Sequence, residues 1–169
     1  MPIKNQVFLL LGSNVHPRLE FIRKSFELLE QRLGMVLSAS GLYESEPWGF
    51  EADTFFLNQV IQVQTGYSAI EVHQLTRHIE MELGRVKAVG EGYCSRNIDI
   101  DLLYFNNEVI HSDDLVIPHQ RLHMRKFTLT PLVEIASGFI HPVFKVNQLE
   151  LLNRCEDLGK VWHYQMEQA

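Results

Sequence analysis

Residues 97–105 read NIDIDLLYF, a run that alternates like a β-strand yet carries two aspartates, Asp99 and Asp101. Side chains alternate along a strand, so both carboxylates project from one face, about 6.6–6.8 Å apart along the chain. Ile98, Ile100 and Leu102 then point the other way, toward whatever helices cover the sheet. Asp is poorly suited to a strand interior, and carboxylates so close repel each other. The strand therefore needs an apolar layer on one side and, on the other, something that offsets paired negative charge. A bound cation is the obvious candidate.

The flanking segments supply the rest of the sheet and its helices. QVFLLLG ends in Gly12 and reads as a central strand. Leu19, Ile22, Phe26, Leu29 and Leu33 recur at 3-4-3-4 spacing, an amphipathic helix stopped by Gly34. Residues 36–43 form a second strand. FFLNQVIQVQT (55–65) alternates, with Phe55, Leu57, Ile61 and Val63 on one face and Phe56, Asn58, Gln62 and Gln64 on the other. Ser68 with Glu71 is a capping box opening a second helix whose stripe is Val72, Leu75, Ile79 and Leu83. The order β-α-β-β-α-β predicts an α+β, ferredoxin-like core. It comprises a four-stranded antiparallel sheet with both helices on one face and the other free for ligands. A hairpin turning at Asn106-Asn107 and short helices near 131–137 and 147–158 follow. The 169 residues predict a single domain, 1–169.

A net charge of -6 argues against general binding to nucleic acid, whose phosphates favour a basic partner. No run approaches the 18 or so apolar residues of a membrane span. Two cysteines, Cys94 and Cys155, make neither a disulfide framework nor a four-ligand zinc site, and no signal peptide is evident. A cytoplasmic setting fits these features.

Two carboxylates on one rigid strand suit Mg²⁺, which prefers oxygen ligands and keeps waters and substrate phosphates as its others. Their company is basic: Arg85 and Lys87 follow the second helix, and Arg96 precedes Asp99 by three residues. PHQRLHMRKF (118–127) then concentrates His119, Arg121, His123, Arg125 and Lys126. Guanidinium forks and ammonium charges are what a polyphosphate needs. Phe56, Phe127 and Asn58 could sandwich a flat heterocycle and read its edge, and EPWGF (46–50) reads as a lid or pocket wall. LGSN (11–14) lacks the Gly-Lys-Ser/Thr of a P-loop. No Rossmann glycine motif, nucleophile elbow or zinc-type histidine pairing is present. What remains is a nucleotide enzyme of neither Walker nor Rossmann type.

LLLGSN, ELGRV, SRNIDIDLL and VIPHQRLHMRKFTLTPLVEIA come in the order and spacing of one family. From about residue 7 to 142 the chain resembles the 6-hydroxymethyl-7,8-dihydropterin pyrophosphokinases of folate biosynthesis. The resemblance implies transfer of pyrophosphate from the co-substrate ATP to the hydroxymethyl oxygen of 6-hydroxymethyl-7,8-dihydropterin, releasing AMP. It implies that Asp99 and Asp101 hold two Mg²⁺ ions, with Arg85 and Arg96 as their catalytic partners. Glu80, Lys87, Ile100, Leu102, His119 and Arg125 join Arg85 and Arg96 at ATP. Ser45, Glu46, Trp48, Phe56, Asn58, Asp99 and Phe127 are assigned to the pterin. The implied partners are these small molecules, with neither nucleic acid nor membrane, in a monomer or weak homodimer. Lys87-Ala88, Tyr93-Cys94-Ser95 and Gln120 depart from the family pattern, and loops 44–53 and 84–96 are expected to move. The alternative is a non-catalytic pterin- or nucleotide-binding module of the same fold; an ordinary kinase would release ADP instead.

Overall fold

Alternating segments become strands and the 3.6-residue stripes become helices. In the computed structural model, which describes residues 4–84 and 97–166, strand β1 (Asn5–Ser13) leads into helix α1 (Arg18–Arg32) and two short strands, β2 (Met35–Ala39) and β3 (Tyr43–Ser45). A long strand β4 (Phe56–Thr65), helix α2 (Ala69–Glu82) and strand β5 (Asp99–Phe105) follow. Beyond them lie β6 (Ile110–His111), β7 (Val116–Ile117), a 3-10 turn at Leu122–Met124, helices α3 (Lys126–Ala136) and α4 (Gln148–Arg154), and strand β8 (Val161–His163).

The main sheet is antiparallel throughout, in the order β5-β1-β4-β3-β8, with β2 also paired to β4. That is the split βαβ order, with its second strand broken in two and β8 added at the edge. The continuous strand expected over 36–43 is interrupted because Ser40 and Gly41 redirect their backbone. Ser40 Oγ accepts the Val60 N–H at 3.0 Å, and the Gly41 N–H goes to the Glu134 carboxylate at 2.8 Å.

Leu9, Leu11, Ile22, Leu29, Ile61, Val72, Ile79, Ile98 and Ile100 form the core between the sheet and α1 and α2. The capping box starts α2: Glu71 N–H donates to Ser68 Oγ, and Ser68 N–H to the Glu71 carboxylate. Past α1, a Cβ on Gly34 would lie 2.0 Å from the Gln64 carbonyl oxygen, so only glycine lets this helix end sit against β4.

The opposite sheet face, expected to be free, is largely covered. Helices α3 and α4 bury Phe8, Leu10, Val60, Leu103 and Tyr104 under Leu129, Leu132 and Leu151. The end of the sheet carrying Gly12, Asn58 and Asp99 instead lines a cavity. Helix α3 begins at Lys126 rather than near 131, with Pro131 inside it, and α4 ends at Arg154 rather than 158. Pro131 reads as a first helical position. The actual start is instead held by the Asp157 carboxylate, which accepts the Lys126 N–H at 3.0 Å from 31 residues away. The turn at Asn106-Asn107 exists, but the strand after it pairs with β7 instead of returning along β5. Asn106 is tied to β1: its Oδ1 accepts the Gln6 N–H and its own N–H donates to the Gln6 carbonyl, both at 2.8 Å.

His141 sits beneath this second layer, stacked on Phe144 with ring centroids 4.3 Å apart. Its Nδ1 accepts the N–H groups of Val143 and Phe144, both at 3.1 Å. A proton on Nδ1 would face two donors. Burial, then His123, pushes the imidazole from 6.5 down to about 4. A depressed histidine is neutral in the fold while the unfolded chain takes up a proton, so stability is complete above pH 6.5 and falls as pH drops toward 4. Between pH 7 and 4.5, urea unfolding should show the native protein losing about 1–2 kcal/mol more than His141→Asn. Equal losses would remove His141 from the acid limb.

Candidate active site

Strand register assembles the site. On β1, Gly12 stands opposite Asn58 of β4 on one side and Asp99 of β5 on the other. One row of the sheet thus carries an amide, a glycine with no side chain, and a carboxylate. In the row two residues away, Leu10 stands between Val60 and Asp101. Next to Asn58, Phe56 pairs with Ser45 of β3.

Over this end of the sheet lies a small cavity of about 60 Å³. Its floor is Gly12 and Leu10, and its walls include Phe56, Phe127, Trp48 and Phe50, with Ser45, Asn58, Asp99 and Asp101 at its edges. Asn58 is buried, and its Nδ2 donates to Ser45 Oγ at 2.9 Å and to the Tyr43 carbonyl at 3.4 Å. These bonds leave Oδ1 turned toward Gly12, where a Cβ would stand 3.5 Å from it. The cavity therefore offers two aromatic walls and one amide acceptor fixed in advance, the recognition chemistry of a flat heterocycle with ring N–H groups.

A second, polar cleft of about 350 Å³ adjoins it. It is lined by Asp99 to Leu102, by His73 and Arg77 of α2, by Asp114 to Val116, and by His119, Gln120, Arg121 and Arg125. The side chains of Ile100 and Leu102 lie in the core, so these residues border the cleft along the outer edge of β5. The two cavities share Asp99, Asp101 and Arg125.

The shared residues are electrostatically coupled. Burial, then the Asp99 charge, pushes the Asp101 carboxyl up to about 7, against the opposing pull of Arg125. Arg125 Nη1 lies 3.8 Å from Asp101 Oδ2, while its guanidinium stacks 4.7 Å from the Trp48 ring centroid and 5.6 Å from that of Phe127. His119 Nε2 is 3.9 Å from Asp101 Oδ2. Burial and Arg125 push His119 down to about 4, so it stands neutral there, with Nδ1 accepting the Arg121 N–H at 3.2 Å. Asp99 and Asp101, both half-buried on this face of β5, present oxygen donors only. Among the described residues no third His, Cys, Asp or Glu completes a ligand cluster with them.

The expected site residues divide by location. Ser45, Glu46, Trp48, Phe56, Asn58, Asp99 and Phe127 line the small cavity; Asp99, Ile100, Asp101, Leu102, His119 and Arg125 line the cleft. Arg85, Lys87 and Arg96 lie outside the described residues, as do Ala88 and Tyr93-Cys94-Ser95. Glu80 is fully buried and lines neither cavity. Its carboxylate accepts the Ile100 N–H at 2.8 Å and pairs with Arg77 at 2.8 Å. His123 turns away to pack edge-on against Phe144. Phe127 belongs to the first turn of α3. Sequence reasoning missed Gly12 as the floor, since cross-strand register is invisible in one strand. It also missed Arg77, whose only sequence signal is a position one turn before Glu80.

Comparison with known proteins adds an independent line. Residues 8–137 match the family described as 7,8-dihydro-6-hydroxymethylpterin-pyrophosphokinase. The chain is 38% identical over 134 residues to the 2-amino-4-hydroxy-6-hydroxymethyldihydropteridine pyrophosphokinase of Bacillus subtilis, covering 79% of each. It is 40% identical over 139 residues to the protein of that name from Aquifex aeolicus, covering 82% of this chain and 85% of that one. A folic acid synthesis protein of Pneumocystis carinii is 39% identical over 137 residues, but the chain spans only 18% of its length. Among solved structures, wild-type Plasmodium falciparum HPPK-DHPS with STZ-DHP superposes with a TM-score of 0.74 at 17% identity. That match covers 90% of this chain and 43% of the other, and supports the fold alone.

Proposed function

Because the chain belongs to the 7,8-dihydro-6-hydroxymethylpterin-pyrophosphokinase family, we propose that it transfers pyrophosphate from ATP to 6-hydroxymethyl-7,8-dihydropterin, giving AMP and the pterin diphosphate for folate biosynthesis. One observation carries this reading: an aromatic-walled cavity and a polar cleft meet at Asp99, Asp101 and Arg125. A heterocycle in the first and a triphosphate in the second would place the hydroxymethyl oxygen and the phosphate chain at the same carboxylates.

The donor set fits magnesium, a hard cation that takes few carboxylates and keeps water and phosphate oxygens. Asp99 and Asp101 would hold two such ions. When bound, magnesium neutralises charge on the phosphates and ties them to the aspartates. The chain's own residues orient the reactants, since phosphoryl transfer asks mainly for position and charge balance. Phe56 and Phe127 would face the two sides of the pterin, with Asn58 Oδ1 accepting from its edge. Ser45 holds that amide, and Trp48 and Glu46 border the ring. Arg125 and His119 would meet the phosphates, with Arg85, Lys87 and Arg96 supplying further positive charge. Ile100 and Leu102 would present the strand edge to the nucleotide. Glu80 would act indirectly, by bracing Ile100 and Arg77. We further propose that residues 1–169 act as one cytoplasmic domain, monomeric or weakly dimeric, working on these small molecules and on neither nucleic acid nor membrane.

The test is product analysis with Mg²⁺-ATP, with and without the pterin. AMP should form in equal amount to the pterin diphosphate, and only when pterin is present. ADP in place of AMP would identify a transfer of the γ-phosphate alone, and bound pterin without any nucleotide product would identify a binding module.

A further inference from the structure

Beyond the residues 8–137 matched to the family, the turn at 157–160 touches both sides of the small cavity. Asp157 Oδ2 accepts the Lys126 N–H at 3.0 Å, and Oδ1 accepts the Gly159 N–H at 2.9 Å. One residue further, Lys160 N–H donates to Glu46 Oε1 at 3.0 Å, and its carbonyl accepts the Glu46 N–H at 3.2 Å. Lys126 immediately precedes Phe127 on one wall; Glu46 immediately follows Ser45 and leads to Trp48 on the other.

Helix α3 has no capping side chain at its own N-cap residue, Arg125. The Asp157 carboxylate serves there instead, with a charge that suits the positive end of the helix dipole. The turn is held by these bonds rather than by apolar packing, because Leu158 is 97% exposed. From Lys160 the chain continues directly into β8, whose Val161 pairs with Ser45. Asp157 and Lys160 therefore link the start of α3 to the Ser45–Trp48 segment through a hydrogen-bonded tetrapeptide.

We infer that this turn is a strap that sets the spacing between Phe127 and the Trp48 loop, making Asp157 a positioning residue for the flat heterocycle. The inference rests on the proposed use of this cavity for the pterin. A ring clamped between aromatic faces binds well only at one separation, and walls fixed beforehand spare the cost of ordering them on binding. Of the strap's two anchors, Glu46 lines the small cavity alone and Lys126 lines neither cavity, so its effect falls first on the pterin; Arg125, next to Lys126 and shared by both cavities, passes on only the smaller part to ATP.

Full-length Asp157→Ala and Asp157→Asn test this in steady-state kinetics, paired with fluorescence titration of the pterin. Asn keeps a capping oxygen and Ala removes it. Asp157→Ala should raise the pterin KM and Kd about tenfold and leave the ATP KM within about twofold, while Asp157→Asn restores most of the pterin affinity. A purely structural role would lower the melting temperature and the active fraction but leave both KM values in place, overturning the inference. So would equal shifts in the two KM values. Lys160→Pro, which deletes the N–H given to Glu46 and fixes φ there while leaving Asp157 and its bond to Lys126 in place, covers the case of an unfolded Ala variant: an unchanged pterin Kd there also overturns the strap. The binding titration needs no turnover, so absence of AMP formation by the native protein would refute the proposed reaction without touching the strap.

Discussion

Asp101→Asn is expected to lower AMP formation by about 10³-fold while making the metal-free protein more stable. Asn matches the carboxyl in shape but carries no charge, so it supplies no second anionic ligand for magnesium. The same change removes a carboxylate that burial and Asp99 hold up to about 7. A carboxyl raised from 3.8 in the fold contributes its full stability only below 3.8, and that contribution is lost as pH rises to about 7. The variant's advantage should therefore grow across that window and level off above it. Replacing a strained buried charge is worth about 1–2 kcal/mol, or some 3–6 °C in Tm for a chain of this size. Thermal unfolding in chelator at pH 5 and pH 8, beside product assays, checks both halves. Magnesium with ATP should raise Tm of the native protein and leave the variant nearly unmoved. An Asp101→Asn protein that is less stable and still active would place the metal elsewhere.

The trade between stability and activity explains why the aspartates were visible in the sequence at all. Asp99 and Asp101 break a local rule within a strand whose other positions obey it, and such breaks mark functional sites. The Ser68–Glu71 capping box and the stripes of α1 and α2 were legible for the opposite reason: their partners lie within one or two turns. What stayed hidden is nonlocal. Ser40 looks like any strand residue until Val60 and Glu134, 20 and 93 residues away from their partners, redirect the backbone at 40–41. The start of α3 depends on Asp157, and the covered second sheet face depends on α3 docking there. Gly12 gained its place from register with strands 46 and 87 residues further along. For Phe56, Phe127, Ser45 and Trp48, residue type alone would favour ordinary packing. An aromatic pair beside an amide and a Pro/Gly-punctuated loop hinted at Phe56, Phe127 and Trp48, the family resemblance alone singled out Ser45, and all four line the small cavity.

Arg125→Ala should reduce kcat/KM by about 10²–10³-fold and, unlike loss of an ordinary phosphate contact, weaken both substrates. The guanidinium is placed by the junction between the 3-10 turn and α3, and it is only 6% exposed. One side stacks on Trp48 and Phe127; an Nη atom faces Asp101. Truncation opens the aromatic cavity and removes a cation from the polar cleft at once. It also withdraws the charge that holds the Asp101 carboxyl down. Since magnesium needs that group ionised, the acid limb of kcat/KM should move to higher pH in the variant. Arg125→Lys restores the charge but not the flat, stacking fork, so it should recover about tenfold of the loss and most of the pH shift, with pterin KM still raised. A pH–rate series with each substrate varied in turn distinguishes these effects. Loss confined to ATP KM, with the acid limb unmoved, would reduce Arg125 to a phosphate contact and leave the two cavities uncoupled.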